Sequence, residues 1–143
     1  MIKIKYGLAW NNSYKIGNEQ VDSQHYQLFV LLSELVSFCM SGSDKAKLQE
    51  TLDFLLYYTT RHFEDEEVLQ IQCGYPDYQR HKQLHHEFRT AVDNLVKRFA
   101  KNGSSAELSY SVNRLVITWL LDHIQQEDKK IGEFLNSRKE IAT

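Results

Sequence analysis

Apolar residues recur at intervals of three and four along most of this chain, which is the spacing of one buried face on an α-helix. The pattern predicts four helices, at about residues 22–40, 45–72, 78–101 and 105–128. Only six glycines and one proline occur in 143 residues, too few for the frequent turns that a chain of short strands needs. The hydrophobic pattern therefore predicts an all-α protein.

Residues that start or stop helices lie between the predicted segments. Asp22 is a good cap for the first helix, and the segment 41–44 separates it from the second. Gly74 and Pro76 end the second helix, and Asp77 can cap the third. Asn102 and Gly103 stop the third helix, and the S-x-x-E pattern from Ser104 to Glu107 is a capping box for the fourth.

Four helices of about twenty residues with short connections predict an up-and-down antiparallel four-helix bundle. We expect one domain over residues 1–143, with the bundle at 21–128. Residues 1–20 predict an extended N-terminal arm held by large side chains such as Trp10. Residues 129–143 predict a short charged tail, with a helical turn around Ile131 to Leu135.

Composition and charge exclude several classes of function. The formal net charge of −2 offers no basic surface, so neither nucleic acid nor an anionic membrane is an expected partner. No apolar run approaches the roughly 18 residues that span a bilayer. The N-terminus resembles no signal peptide, so we expect a cytoplasmic protein. In that compartment Cys39 and Cys73, which lack a CxxC spacing, are expected to be small core or helix-end residues. No feature of the sequence indicates a protein partner.

Five of the six histidines are predicted to converge at one end of the bundle. In an antiparallel bundle the starts of helices one and three lie beside the ends of helices two and four. The histidines at that end are His25, His62, His81, His85 and His123, and the sixth, His86, is expected to face solvent or a neighbouring helix.

The same end of the bundle carries inward carboxylates. Glu66 lies four residues after His62 and shares its helix face, and His81 and His85 have the same spacing. Asp128 closes the fourth helix. Five imidazoles and two carboxylates exceed the four ligands of a structural zinc site and suit two metal ions that share carboxylates.

Four motifs carry a resemblance to a known family. They are Asp22-Ser23-Gln24-His25, the segment His62-Phe63-Glu64-Asp65-Glu66-Glu67, the segment His81-Lys82-Gln83-Leu84-His85, and Trp119-Leu120-Leu121-Asp122-His123-Ile124 with Asp128. In order and spacing they resemble the ligand motifs of the hemerythrins, and most closely the bacterial single-domain members. The resemblance covers about residues 10 to 130.

The resemblance implies a non-haem di-iron centre that binds dioxygen reversibly, for storage, delivery or sensing. Its cofactor would be two iron ions joined by an oxo or hydroxo bridge. By the same resemblance His81, His85 and His123 would hold one iron, and His25 and His62 would hold the other, which keeps an open position. Glu66 and Asp128 would bridge the two ions.

Four large side chains lie next to these ligands in the sequence. Phe63, Trp119, Leu120 and Ile124 are expected to form a dry wall around the open position, although each is also explained as ordinary core. Glu64, Asp65 and Glu67 are expected to lie mostly in solvent or behind the ligands.

One spacing conflicts with an ideal helix. Asp128 lies five residues after His123, whereas Glu127, at four, would share the face of His123 better. The family pattern selects Asp128, which requires an approach from the edge of the face or a distorted final turn. Glu127 remains the alternative.

Three functions are compatible with such a site. The first is reversible dioxygen binding without catalysis. The second is an enzyme that reduces nitric oxide or peroxide at the same centre. The third is a metal-free or zinc-occupied bundle that acts as a binding module, because zinc competes well for nitrogen-rich sites.

Overall fold

The computed structural model describes residues 2–3, 9–41, 45–103 and 106–142. Three helices match their predicted positions closely: α1 is Glu19–Ser41, α2 is Lys45–Cys73 and α3 is Tyr78–Asn102. Gly74 and Gly103 follow α2 and α3 with φ of 71° and 74°, positive values that glycine adopts without strain. The predicted breaker and capping box lie partly outside the described residues, at 42–44 and 104–105.

The first helix begins earlier than predicted, because Asn18 and not Asp22 caps it. The Asn18 side chain accepts a hydrogen bond from Val21 N at 3.0 Å. The Asp22 carboxylate instead accepts from the backbone N–H groups of Ile16 at 2.7 Å and Gly17 at 3.3 Å. Asp22 therefore fastens the arm to α1.

The fourth helix, α4, is one continuous helical run over residues 106–142 and is much longer than predicted. Its parts are α-helical Ala106–Ser111, π-helical Val112–Thr118, α-helical Trp119–Asp122, π-helical His123–Asp128 and α-helical Lys129–Ala142. The prediction of a short tail with one helical turn after residue 128 is wrong. Ile131 is fully buried and packs with Ile16 and Val21, so the extension belongs to the folded core.

In the described part of the N-terminal arm, short extended pieces and a 3₁₀ turn, Asn12–Tyr14, are held by aromatic packing, as predicted for large side chains such as Trp10. A two-residue strand β1, Ile2–Lys3, pairs antiparallel with β2, Ala9–Trp10. The Trp10 ring stacks on Tyr14 with centroids 5.6 Å apart and contacts Phe29 edge-on at 5.0 Å.

The helices pack in a closed ring that confirms the four-helix bundle: α1 contacts α2, α2 contacts α3, α3 contacts α4, and α4 returns to α1. The described core has two apolar clusters. The larger follows the bundle axis, and the smaller is an end layer of Ile16, Val21, Tyr75 and Ile131. Among the described helices, none is both long and apolar enough to cross a membrane.

The space between the two clusters is where the polar site forms. Along α1, His25 falls between Val21 of the end layer and Leu28 of the main core. Along α4, Asp128 falls between Ile131 of the end layer and Ile124 of the main core. Apolar layers on both sides therefore separate the site from water.

Candidate metal centre

Seven buried polar side chains from all four helices meet in this space. Each is at most 4% exposed, and they are His25, His62, Glu66, His81, His85, His123 and Asp128. These are the seven residues that the sequence predicted to converge. His86 is exposed, as expected.

The seven residues form two groups that share the carboxylates of Glu66 and Asp128. One group adds His81, His85 and His123, and the other adds His25 and His62. Within each group the candidate ligand atoms all lie within 4.8 Å of one another. The structure therefore presents two adjacent positions for a cation.

Each shared carboxylate directs one oxygen to each group. Glu66 Oε1 lies 2.8 Å from His81 Nε2 and 3.2 Å from His85 Nε2. Its other oxygen, Oε2, lies 3.4 Å from His62 Nε2 and 3.8 Å from His25 Nε2. This is the geometry of a carboxylate that bridges two centres.

Asp128 repeats the arrangement from the opposite side of the bundle. Its Oδ1 lies 3.1 Å from both His81 Nε2 and His123 Nε2, and its Oδ2 lies 2.9 Å from His25 Nε2. Two carboxylates on different helices therefore link the same two groups.

Several of these atoms are close together without forming hydrogen bonds. Both ring nitrogens of His25, Oε2 of Glu66 and both carboxylate oxygens of Asp128 are buried and have no hydrogen-bond partner. Burying such atoms unpaired is costly, and a cation that accepts their lone pairs removes the cost.

The nitrogens of the three-histidine group also face one another. His123 Nε2 is 3.1 Å from both His85 Nε2 and His81 Nε2. A neutral imidazole nitrogen carries either a proton or a lone pair, so one proton cannot satisfy all three atoms. Three converging Nε2 atoms are suited to one metal ion, and the donor set fits this role.

Protonation equilibria follow from the burial and from these contacts. Burial disfavours the charged form of His81, but the carboxylates of Asp128 and Glu66 beside its ring outweigh burial and raise its pKa to about 10. For Glu66, burial raises the pKa, but the rings of His62, His81 and His85 beside its oxygens outweigh burial and lower the pKa well below its usual value. For His62, burial dominates and lowers the pKa. Glu66 thus stays ionised and favours a proton or a cation on the histidines beside it.

Two of the histidines are oriented through their other ring nitrogen. His62 Nδ1 lies 2.7 Å from Gln24 Oε1, and Gln24 Nε2 donates to Asp65 Oδ2 at 2.8 Å. His85 Nδ1 lies 2.9 Å from Glu67 Oε2. Because these oxygens can only accept, Nδ1 carries the proton and Nε2 presents its lone pair to the site.

These supporting residues refine the sequence interpretation. Glu67 is buried behind His85 and Asp65 reaches Gln24, whereas Glu64 is exposed. The role of Gln24 was missed, since its partners lie on another helix. Its position directly before His25, on a different face of α1, was the one available signal.

The π-helical turn resolves the spacing of His123 and Asp128. A π-helix bonds residue i to i+5, so residues five apart share a face much as residues four apart do in an α-helix. Residues 123–128 adopt this form, which brings Asp128 into the site. Glu127 points outward and makes a two-pronged ion pair with Arg80, at 2.6 and 3.0 Å. The distorted final turn is present, and Glu127 does not join the site.

Two of the four predicted wall residues, Phe63 and Trp119, lie against the three-histidine group. The Phe63 ring stacks on His85 at 3.7 Å with planes 3° apart, and Trp119 stacks on His123 at 4.6 Å and 9°. Phe88, which was not predicted as part of the wall, stacks on Trp119 at 4.3 Å. Leu120 and Ile124 are buried in the main core.

Comparison with known proteins agrees with this geometry. The family model of the hemerythrin HHE cation binding domain matches residues 16–135. The bacteriohemerythrin of Stenotrophomonas maltophilia (strain R551-3) is 29% identical over 88% of this chain and 80% of its own. That of Methylococcus capsulatus (strain ATCC 33009 / NCIMB 11132 / Bath) is 30% identical over 81% of this chain and 86% of its own.

A solved structure shows the same fold. The crystal structure of wild-type hemerythrin superimposes with a TM-score of 0.79 at 26% identity, covering 90% of this chain and 97% of that one. With the family model matched over most of its length, the chain belongs to the hemerythrin family.

Proposed function

We propose that this protein holds two iron ions and binds dioxygen reversibly, for storage, delivery or sensing. One observation carries the proposal: Glu66 and Asp128 each direct one oxygen to each of two histidine groups. A site for a single ion needs no such doubled bridge. Membership of the hemerythrin family supports iron as the metal.

The ligands divide unequally between the two ions. His81, His85 and His123 with both carboxylates would give one ion five protein ligands, and His25 and His62 with the same carboxylates would give the other four. The group with fewer protein ligands would leave room for an external molecule. When bound, an iron pair would supply reversible coordination of dioxygen.

The ligand chemistry favours binding over irreversible oxidation. Five neutral imidazoles and only two carboxylates stabilise the ferrous state better than a carboxylate-rich set does. Gln24 and Glu67 hold two of the imidazoles in the tautomer that presents Nε2. The stacked rings of Phe63 and Trp119 exclude water from the three-histidine side.

An optical experiment tests the proposal. Anaerobic reduced protein with two irons per chain is expected to be colourless, to gain visible absorption in air and to lose it again under inert gas. The variant Glu66→Ala should lose the response because both ions lose a shared ligand. His86→Ala, at an exposed histidine outside the site, is the matched control and should keep it.

Two results would contradict the proposal. Permanent oxidation to a ferric form on first exposure to air would exclude reversible binding. Steady consumption of nitric oxide or peroxide with an added reductant, lost in Glu66→Ala, would instead indicate a di-iron enzyme.

A further inference from the structure

Gln70 is a fully buried amide whose polar atoms have no hydrogen-bond partner. Its exposure is 0%, and both Oε1 and Nε2 are unpaired. Among the described residues, every other side chain with this property belongs to the seven residues of the metal centre. Gln70 is not among those seven, and the site as described gives it no role.

The position of Gln70 on α2 relates it to the site. It follows Glu66 by four residues and His62 by eight, so the three side chains form one row on the helix face that carries the ligands. Side chains on a helix lean toward its N-terminus, which directs Gln70 over the turn of Glu66. It lies on the side of the site closed by the end layer, whose member Tyr75 donates its backbone N–H to Gln70 O at 2.9 Å.

The chemistry of a bridging carboxylate explains why an amide belongs there. Each carboxylate oxygen has two lone pairs. A carboxylate shared by two ions uses one lone pair of each oxygen for a metal and keeps the others free. Glu66 Oε2 is buried and unpaired. The N–H₂ group of a neighbouring amide is a suitable donor and adds no charge.

We propose that Gln70 is a positioning residue of the metal centre, whose amide N–H donates to the carboxylate of Glu66 when the ions are bound. The inference rests on the proposed two-metal function. The hydrogen bond fixes the orientation of Glu66 and draws charge from its oxygens. In this structure the buried amide has no partner. An unpaired buried amide costs stability, and the proposed hydrogen bond to Glu66 would recover that cost.

The variant Gln70→Met tests this, because it keeps the length of the side chain and removes both polar atoms. The metal-free variant should be more stable to urea than the parent, because an unpaired amide leaves the core. Its affinity for Co²⁺ should fall about 10-fold or more, the usual effect of removing a group that supports a ligand. The visible spectrum of the cobalt protein should also change, which a purely structural role would not cause.

Two further variants serve as controls for this test. Gln70→Leu, a second apolar replacement, should behave like Gln70→Met. Leu55→Met places a methionine at a fully buried α2 position outside the site, and it should leave cobalt affinity and spectrum unchanged.

The possible failures are distinguishable. If both Gln70 variants bound Co²⁺ with an affinity within twofold of the parent and gave an unchanged spectrum, the role of Gln70 would be overturned. The two-metal function would stay intact. Lower stability of both metal-free variants would also overturn it, because the amide would then support the fold itself. A parent protein that binds fewer than two Co²⁺ per chain would overturn the two-metal site and this inference with it.

Discussion

At the scale of single residues, the site depends on which ring nitrogen of each histidine carries the proton. Gln24 is the clearest case, because one amide accepts from His62 Nδ1 and donates to Asp65. Gln24 fixes the ring orientation and the tautomer of His62, and it does not belong to either candidate ligand group.

Replacing Gln24 by Leu should therefore weaken metal binding more than it weakens the fold. We expect a loss of about 10- to 100-fold in affinity for the ion held by His25 and His62, and little change for the other ion. Titration with Co²⁺ followed by absorption measures both steps. Gln27→Leu, at an exposed glutamine one turn away, is the control. An equal loss at both ions would contradict the assignment of Gln24 to one of them.

Asp128 and Glu127 allow a direct test of which acid serves the site. Asp128→Asn should reduce the bound metal to below two ions per chain, because the buried side chain joins both groups. Glu127→Gln should keep two ions, because it removes only the ion pair with Arg80. Metal analysis of protein purified without air compares the two variants. The reverse pattern would mean that Glu127 is the ligand.

At the scale of helices, the predicted and unpredicted features have different physical origins. Helices α1, α2 and α3 follow from the spacing of apolar residues and from Gly74 and Gly103, which act locally. The convergence of the histidines follows from the antiparallel order of the helices. The seven site residues were predictable for that reason, with a spacing conflict only at Asp128.

The π-helical turns and the helix after residue 128 were not predictable in the same way. A π turn is less stable locally than an α turn, so contacts elsewhere in the fold must select it. At residues 123–128 those contacts are the histidines around Asp128 and the pair of Arg80 with Glu127. After residue 128 the sequence is rich in charge, with Lys129, Lys130 and Glu133, so the apolar face that packs on the arm was not recognised.

Gly132 connects the α4 extension to the arm and provides a test of that packing. A Cβ at this position would overlap the backbone oxygen of Ile16, a contact that forces the arm away from the helix. Gly132→Ala should therefore destabilise the protein by about 1–3 kcal/mol, although alanine favours helices over glycine. Urea unfolding measures the change, with Asn136→Ala, at an exposed position one turn later, as the control. Unchanged or higher stability of Gly132→Ala would show that the arm does not pack on this face.

At the scale of the whole molecule, the metal centre and the fold support each other. Helix α1 contributes His25, and the other three helices contribute two ligand candidates each. The unfolded chain does not hold these groups together, so metal bound to the folded state stabilises that state. At a free metal concentration of about 100 times Kd, the gain for one site is about 2.7 kcal/mol.

Removing metal should accordingly lower the thermal midpoint of the parent protein, and adding ferrous iron without air should restore it. The size of the shift should depend on metal concentration, because the stabilisation arises from mass action. Glu66→Ala separates this effect from ordinary packing: without its shared ligand the variant should melt at nearly the same temperature with and without metal. If a chelator did not change the thermal midpoint of the parent protein, the four helices would be held together by their apolar clusters alone. The buried unpaired atoms of His25 and Asp128 would then need a partner other than a metal ion.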